Sequence, residues 1–144
     1  MKKIKFWKMS GSGNDFVVID NRRRVIRAGY AALARKLCHR QFGVGADGLL
    51  LLEPDSREAF RMVYYNSDGS RADMCGNGAR CMAWFAHAKG AVGKTFCFRA
   101  DAYPVESIVQ GNIVQVSLGD AHDYRLIKTA SLTRRFALPL PLRH

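Results

Sequence analysis

The residues best suited to chemistry lie between Asn66 and Cys81, in the run NSDGSRADMCGNGARC. Cys75 stands immediately before Gly76-Asn77-Gly78, and an alanine-rich apolar stretch follows. If that stretch is a helix, Cys75 sits at its opening. The first N–H groups of a helix have no partner within it and point out of its end. A thiol there meets those donors and the positive end of the helix dipole, and both favour thiolate over thiol. Gly76 and Gly78 let backbone approach a ligand closely. The same N–H groups can bind a carboxylate. One short segment thus combines a reactive sulfur with an anion cradle. The pattern equally suits a glycine-rich helix entry with an inert buried cysteine. Asp73 would hold the thiol proton more tightly, and Arg71 or Arg80 less so.

A second loop, Ser10-Gly11-Ser12-Gly13-Asn14-Asp15, suits a tight turn touching a ligand. Asn14 offers both donor and acceptor, which fits a zwitterionic amino acid. An ordinary surface turn explains the loop as well. It is not a phosphate-binding loop, because no Gly-Lys-Ser/Thr follows. The run GVGADG at 43–48 reads as a flexible loop and lacks the spacing of a dinucleotide-binding fingerprint.

These loops need elements to hold them. Residues 4–9 and 16–20 read as short strands. Tyr30 to Phe42 places Leu33, Leu37 and Cys38 on one face at helical spacing, with Gly43 to end the helix. LLLLE at 49–53 reads as a strand buried on both faces, and Phe60 to Tyr65 as another. Asn66-Ser67-Asp68-Gly69 is a turn signal. Residues 95–99, 102–108 and 113–118 are strand-like, the last two joined by a hairpin at Gln110-Gly111-Asn112. Gly78 to Lys89 is apolar almost all round, which predicts a helix wrapped by other structure, with Trp84 and Phe85 buried and Gly90 closing it. The architecture expected is α+β, a mostly antiparallel sheet around a central buried helix.

Three runs carry a resemblance: KMSGSGNDFVVID at 8–20, RQFGVGADGLLLLE at 40–53 and YYNSDGSRADMCGNGARC at 64–81. They resemble the N-terminal half of the diaminopimelate epimerase family, with the match running from about residue 4 to about 119. The resemblance implies interconversion of LL- and meso-diaminopimelate without pyridoxal phosphate or metal, in the lysine and peptidoglycan pathway. It implies two similar domains with substrate between them. Cys75 inherits the role of one of two catalytic thiols. Asn14 and Asn66, with Gly76 and Asn77, inherit substrate binding. Some relatives carry a substrate-binding Gln where this sequence has Gly48, so no role passes to that position.

Inverting a carbon requires a base on one face and an acid on the other. The family's second thiol lies in a Cys-Gly-Thr-Gly segment that this sequence lacks. The Gly-x-Pro-His segment is also missing, and His122 does not match it. Cys81 cannot substitute, since six residues of helix displace it about 9 Å and turn it about 120° from Cys75. The expectation is a truncated epimerase, inactive as a lone monomer, with an N-terminal domain at 1–119 and an irregular or disordered tail at 120–144. Alternatives are an amino-acid-binding half-domain without turnover, and a homodimer that presents Cys75 from each side.

Composition fits a small globular domain. The 144 residues are 48% hydrophobic and 24% charged. That is room for one domain and one core. The formal net charge is +11. However, the surplus sits in residues 2–8, 22–27 and 125–144, stretches without any acid, and the rest of the chain is slightly acidic. There is no continuous basic stripe, so a nucleic-acid partner is not expected. No apolar run suits a membrane span. The basic N-terminus lacks the apolar stretch of a signal peptide, so a cytoplasmic location is expected. Cys38, Cys75, Cys81 and Cys97 form no zinc-binding pattern and read as free thiols. The partner expected is a small-molecule substrate, with no cofactor.

Overall fold

The computed structural model describes residues 3–101 and 103–118. The tail expected at 120–144, and His122 within it, lie outside the described residues. The elements run β1 (Trp7–Gly11), β2 (Asn14–Asp20), α1 (Tyr30–Cys38), β3 (Gly48–Glu53), β4 (Arg61–Asn66), β5 (Arg71–Ala72), α2 (Gly76–Ala88), β6 (Thr95–Arg99), β7 (Pro104–Gln110) and β8 (Ile113–Val116).

Successive strand residues point to opposite faces of a sheet, and here both faces of the central strands are covered. Val18, Leu50, Leu52, Met62 and Tyr64 join Met82, Ala83 and Phe85 of α2 in one core. Their neighbours Val17, Ile19, Leu49, Leu51 and Val63 join Ala34 and Cys38 of α1 in a second. All six residues of β3 are therefore buried. The continuous run of leucines in the sequence has this cause.

The strands form one curled sheet in the order β1-β2-β3-β4-β6-β7-β8, with β5 paired to β4. It is mixed. β2 runs parallel to β3, and β4 parallel to β6. The expectation of a mostly antiparallel sheet missed these two pairings. They arise because α1 carries the chain back between β2 and β3, and α2 does so between β4 and β6, which permits parallel return. Both ends of the sheet, β1 and β8, touch α2. Among the described residues they are not paired with one another, and no described element covers the flank of α2 between them. Trp84 is accordingly 37% exposed, which corrects the expectation that it is buried, whereas Phe85 is 2% exposed.

Helix α1 stops at Cys38, short of the expected Phe42. His39 leaves the helix with extended backbone. Its ring Nδ1 then accepts from the Gln41 and Phe42 amides. Backbone hydrogen bonds tie the loop after it to the end of the helix. The amides of Val44 and Gly45 donate to the Leu37 carbonyl, and Ala46 donates to Cys38. These bonds satisfy the carbonyls a helix C-terminus leaves open. Helix α2 ends as expected at Gly90. The Gly90 amide donates to His87 and the Ala91 amide to Ala86, the paired bonds of a Schellman closure. Among the described residues, no helix is long and apolar enough to cross a membrane.

A cluster of charge pins the β1–β2 hairpin to the loop before β3. Asp15 is paired with Lys8 at 2.8 Å and with Arg40 at 2.9 Å, and Arg40 also reaches Asp47 at 2.8 Å. The Arg40 guanidinium, seconded by the Lys8 ammonium, holds the Asp15 carboxyl well below the usual carboxylate range.

Two outcomes are expected. Phe85→Ala removes a ring that packs 5.0 Å from the Trp7 ring and should lower unfolding free energy by about 3–5 kcal/mol in urea titration. Trp84→Ala should cost less than half as much; equal losses would contradict the open flank. Because the folded pKa of Asp15 is depressed, its contribution is complete above the unfolded value of about 3.9 and is lost as pH falls below that. The urea midpoint should therefore fall less steeply below about pH 4 in Arg40→Ala than in the unsubstituted chain. Superimposable profiles would show that the pair does not contribute.

Candidate active site

The strand registers bring the three sequence motifs to one end of the sheet. Phe16 of β2 pairs with Gly48 of β3, and Gly48 pairs with Asn66 of β4. Asn14, Asp47 and Asn66 therefore lie at the same edge. The N-terminus of α2 opens beside them, held by Leu50, whose side chain is 3.4 Å from a Cβ placed at Gly78.

Cys75 is the N-cap of α2. Its backbone is extended (φ −145°, ψ 115°), and its Sγ accepts from the Gly78 amide at 3.4 Å. Its carbonyl accepts the first helical bond, from Ala79 at 2.7 Å. The thiol is half-buried, so it is neither sealed in the core nor remote from the helix mouth. Of the remaining cysteines, Cys38 and Cys81 are buried. Burial pushes the Cys38 thiol up to about 11 and also raises Cys81 and Cys97.

Asn77, in the first turn of α2, donates from Nδ2 to Oδ1 of Asn14 at 2.5 Å. Arg80 donates to Oδ1 of Asn77 and, at 3.2 Å, to Ser12 Oγ. Ser12 and Gly13 make the β1–β2 turn, both with positive φ (51° and 87°). The expected loop at 10–15 is thus a two-residue hairpin turn, with Gly11 and Asn14 already in strands. Strand β1 crosses the α2 mouth so closely that a Cβ at Gly11 would lie 2.8 Å from Cys81 Sγ and 3.2 Å from the Asn77 carbonyl.

Asn66 lies two strands further on, at the end of β4. Its Oδ1 accepts from the Tyr64 hydroxyl at 2.7 Å, and its Nδ2 donates to Ser70 Oγ at 3.0 Å. Tyr64 is buried, and burial raises its hydroxyl pKa, with the nearby Cys75 sulfur adding to the shift. A Cβ at Gly48 would lie 2.5 Å from the Tyr64 ring. Tyr64 therefore fills the space that any side chain at position 48 would need. Of the charges near Cys75 in sequence, Arg71 is turned away into a pair with Asp101, and Arg80 is engaged with Asn77. Among the described residues, no group of three or more His, Cys, Asp and Glu is arranged to hold a metal ion.

Cys75, Gly76, Asn77 and Asn14 are thus contiguous, and Asn66, on β4, stands across β3 from Asn14. Sequence reasoning missed Asp47, Tyr64 and Arg40. The usable signal was an acidic residue placed directly before a fully buried strand. A buried parallel neighbour beginning Asn-Asp makes that acid face amides rather than solvent.

A family model described as diaminopimelate epimerase matches residues 6–123. A curated diaminopimelate epimerase of Flavobacterium psychrophilum is 41% identical over 124 residues, covering 85% of this chain and 48% of the relative. One of Chlorobaculum tepidum is 48% identical over 105 residues, covering 72% and 40%. The chain spans about half the length of the curated relatives it matches. Among solved structures, a Bacillus anthracis phenazine biosynthesis protein of the PhzF family superposes with a TM-score of 0.60 at 19% identity, over 78% of this chain and 38% of its own. A methylitaconate-delta-isomerase does so with a TM-score of 0.60 at 13% identity, over 83% and 38%. At such identities the superpositions speak for the fold alone. The match over residues 6–123 and the curated relatives together place this chain in the diaminopimelate epimerase family.

Proposed function

We propose that this chain carries one acid/base thiol of a cofactor-independent epimerase that converts LL- to meso-diaminopimelate. The observation that carries this reading is Cys75 capping α2 beside the joined amides of Asn77 and Asn14. The names of the curated relatives support the substrate.

In this reading the Cys75 thiolate removes the α-hydrogen as a proton, forming an S–H bond. The C–H electron pair moves into the adjacent carboxylate, giving an enolate-like dianion. Amides at the α2 mouth, those of Gly76 and Asn77, face that developing charge. Preorganised donors stabilise it without reorganising at the moment of reaction. A proton returned from the opposite face completes inversion; one returned by Cys75 itself restores the starting configuration. Cys81 does not serve the opposite face, because it lies on the same helix and is buried. The second acid/base group therefore comes from outside the described residues.

Iodoacetamide at neutral pH should alkylate Cys75 well before the other three thiols, since burial holds their protons more tightly. Peptide mass mapping reads the order, and prior labelling of Cys97 or Cys38 would contradict it. The functional test is deuterium exchange at the α-carbon of diaminopimelate, followed by NMR. The unsubstituted chain should exchange with Cys75 dependence, and Cys75→Ser should lose about 100-fold or more. Absence of exchange, or exchange undiminished in Cys75→Ser, would overturn the reading.

A further inference from the structure

Both asparagine amides at the helix mouth are held between groups of fixed polarity. At one end is the Asp47 carboxylate, which when ionised only accepts. Its Oδ2 takes the Asn14 Nδ2–H at 3.2 Å and the Asp15 backbone N–H at 3.1 Å. At the other end is Arg80, whose guanidinium only donates, and which donates to Asn77 Oδ1. Between them, Asn77 Nδ2 donates to Asn14 Oδ1. An amide can ordinarily turn over and exchange its oxygen for its nitrogen. Here neither can do so without placing oxygen against carboxylate or nitrogen against guanidinium.

We infer that Asp47 is a positioning residue that sets the direction of the whole Asn14–Asn77 amide pair. Each amide retains one N–H and one lone pair beyond this chain of bonds, and Asp47 decides where they point. The role is specific to Asp47 because this residue touches all three motif loops. Its Oδ1 accepts from Arg40 at 2.8 Å. Its amide donates to the Asp15 carbonyl at 2.9 Å and to Asp15 Oδ1 at 3.0 Å. Its carbonyl accepts from the Ser67 amide at 2.9 Å, next to Asn66. The consequence for turnover rests on the reading that Asn14 and Asn77 meet the substrate.

The test is Asp47→Asn, which keeps size and shape but makes the anchor both donor and acceptor. Asp47→Glu keeps the acceptor-only character. Circular dichroism and the urea midpoint establish that each variant folds. The first readout is the ¹H–¹⁵N side-chain amide resonances of Asn14 and Asn77. Asp47→Asn should move or broaden both, although Asp47 does not touch Asn77, and Asp47→Glu should restore a single set. An unchanged Asn77 resonance in Asp47→Asn would overturn the inference. The second readout is α-hydrogen exchange. Asp47→Asn should raise KM about tenfold, the worth of one charge-assisted hydrogen bond, with smaller change in kcat and an unchanged Cys75 alkylation rate. An unaltered KM would likewise overturn it. Failure of the unsubstituted chain to exchange, with the Asn77 resonance still responding to position 47, would remove the proposed activity and leave the amide coupling standing.

Discussion

The parallel pairing of β2 with β3 is the constraint on which the site depends. Two parallel strands begin at the same end of a sheet, so the residues preceding and opening them meet. With Phe16 opposite Gly48, Asn14 and Asp47 become neighbours although 33 residues separate them. An antiparallel return would have sent Asp47 to the far end, beside Asp20. A one-residue slip would turn every side chain of β3 to the other face. That slip is blocked at the strand's ends: in one direction it brings a leucine into the place of Gly48, where the Tyr64 ring leaves no room for a Cβ, and in the other it draws Glu53 into the place of Leu52 and away from Asn21 and Tyr30. The two residues that bound the leucine run, Gly48 and Glu53, thereby fix where Asp47 stands.

The second requirement is a helix whose N-terminus arrives at this same end. The return from β4 through the short strand β5 supplies it, since the Asn66–Gly69 turn reverses the chain and Ala72 pairs back onto Tyr64. Three residues after β5 the chain enters α2 at Cys75. The far end of the sheet is organised separately. There Asn21, Glu53 and Tyr30 form a buried cluster, with Asn21 Nδ2 and the Tyr30 hydroxyl both donating to Glu53 Oε1 at 2.8 and 2.5 Å. Burial, with the Glu53 carboxylate, pushes the Tyr30 hydroxyl up to about 12. The two polar clusters cap opposite ends of the same buried strands, and each satisfies groups that the leucine core cannot.

The sequence made some of this legible and hid the rest for identifiable reasons. Unbroken apolarity at 49–53 signals a strand covered on both sides, and Cys-Gly-Asn-Gly before an alanine-rich run signals a helix mouth. Both are local patterns. The parallel β2–β3 pairing was hidden because strand direction depends on where α1 packs, which local pattern does not encode. The end of α1 was misjudged because Gly43 looks like a terminator, while the stop comes from His39, whose ring caps the following turn. Trp84 was misjudged because an all-round apolar helix reads the same whether its sheet closes or stays open. Asp47 was hidden for a further reason: its partners are an amide and a guanidinium from other segments, and a lone Asp before glycine reads as a loop.

An acidic residue beside a helix mouth proposed to cradle a carboxylate raises an electrostatic difficulty, because like charges repel. The neighbourhood of Asp47 resolves it by matching. Asp15 and Asp47 are two negative charges, and Lys8 and Arg40 are two positive ones, all within direct contact. The group sums to zero, so an incoming anion meets dipoles and not net negative charge. What remains after cancellation is direction. A carboxylate whose charge is neutralised by Arg40 on one oxygen still accepts from amides on the other. Asp47 can therefore order the asparagine pair without opposing the ligand that the pair would hold, and a neutral acceptor such as a carbonyl would order it less strongly.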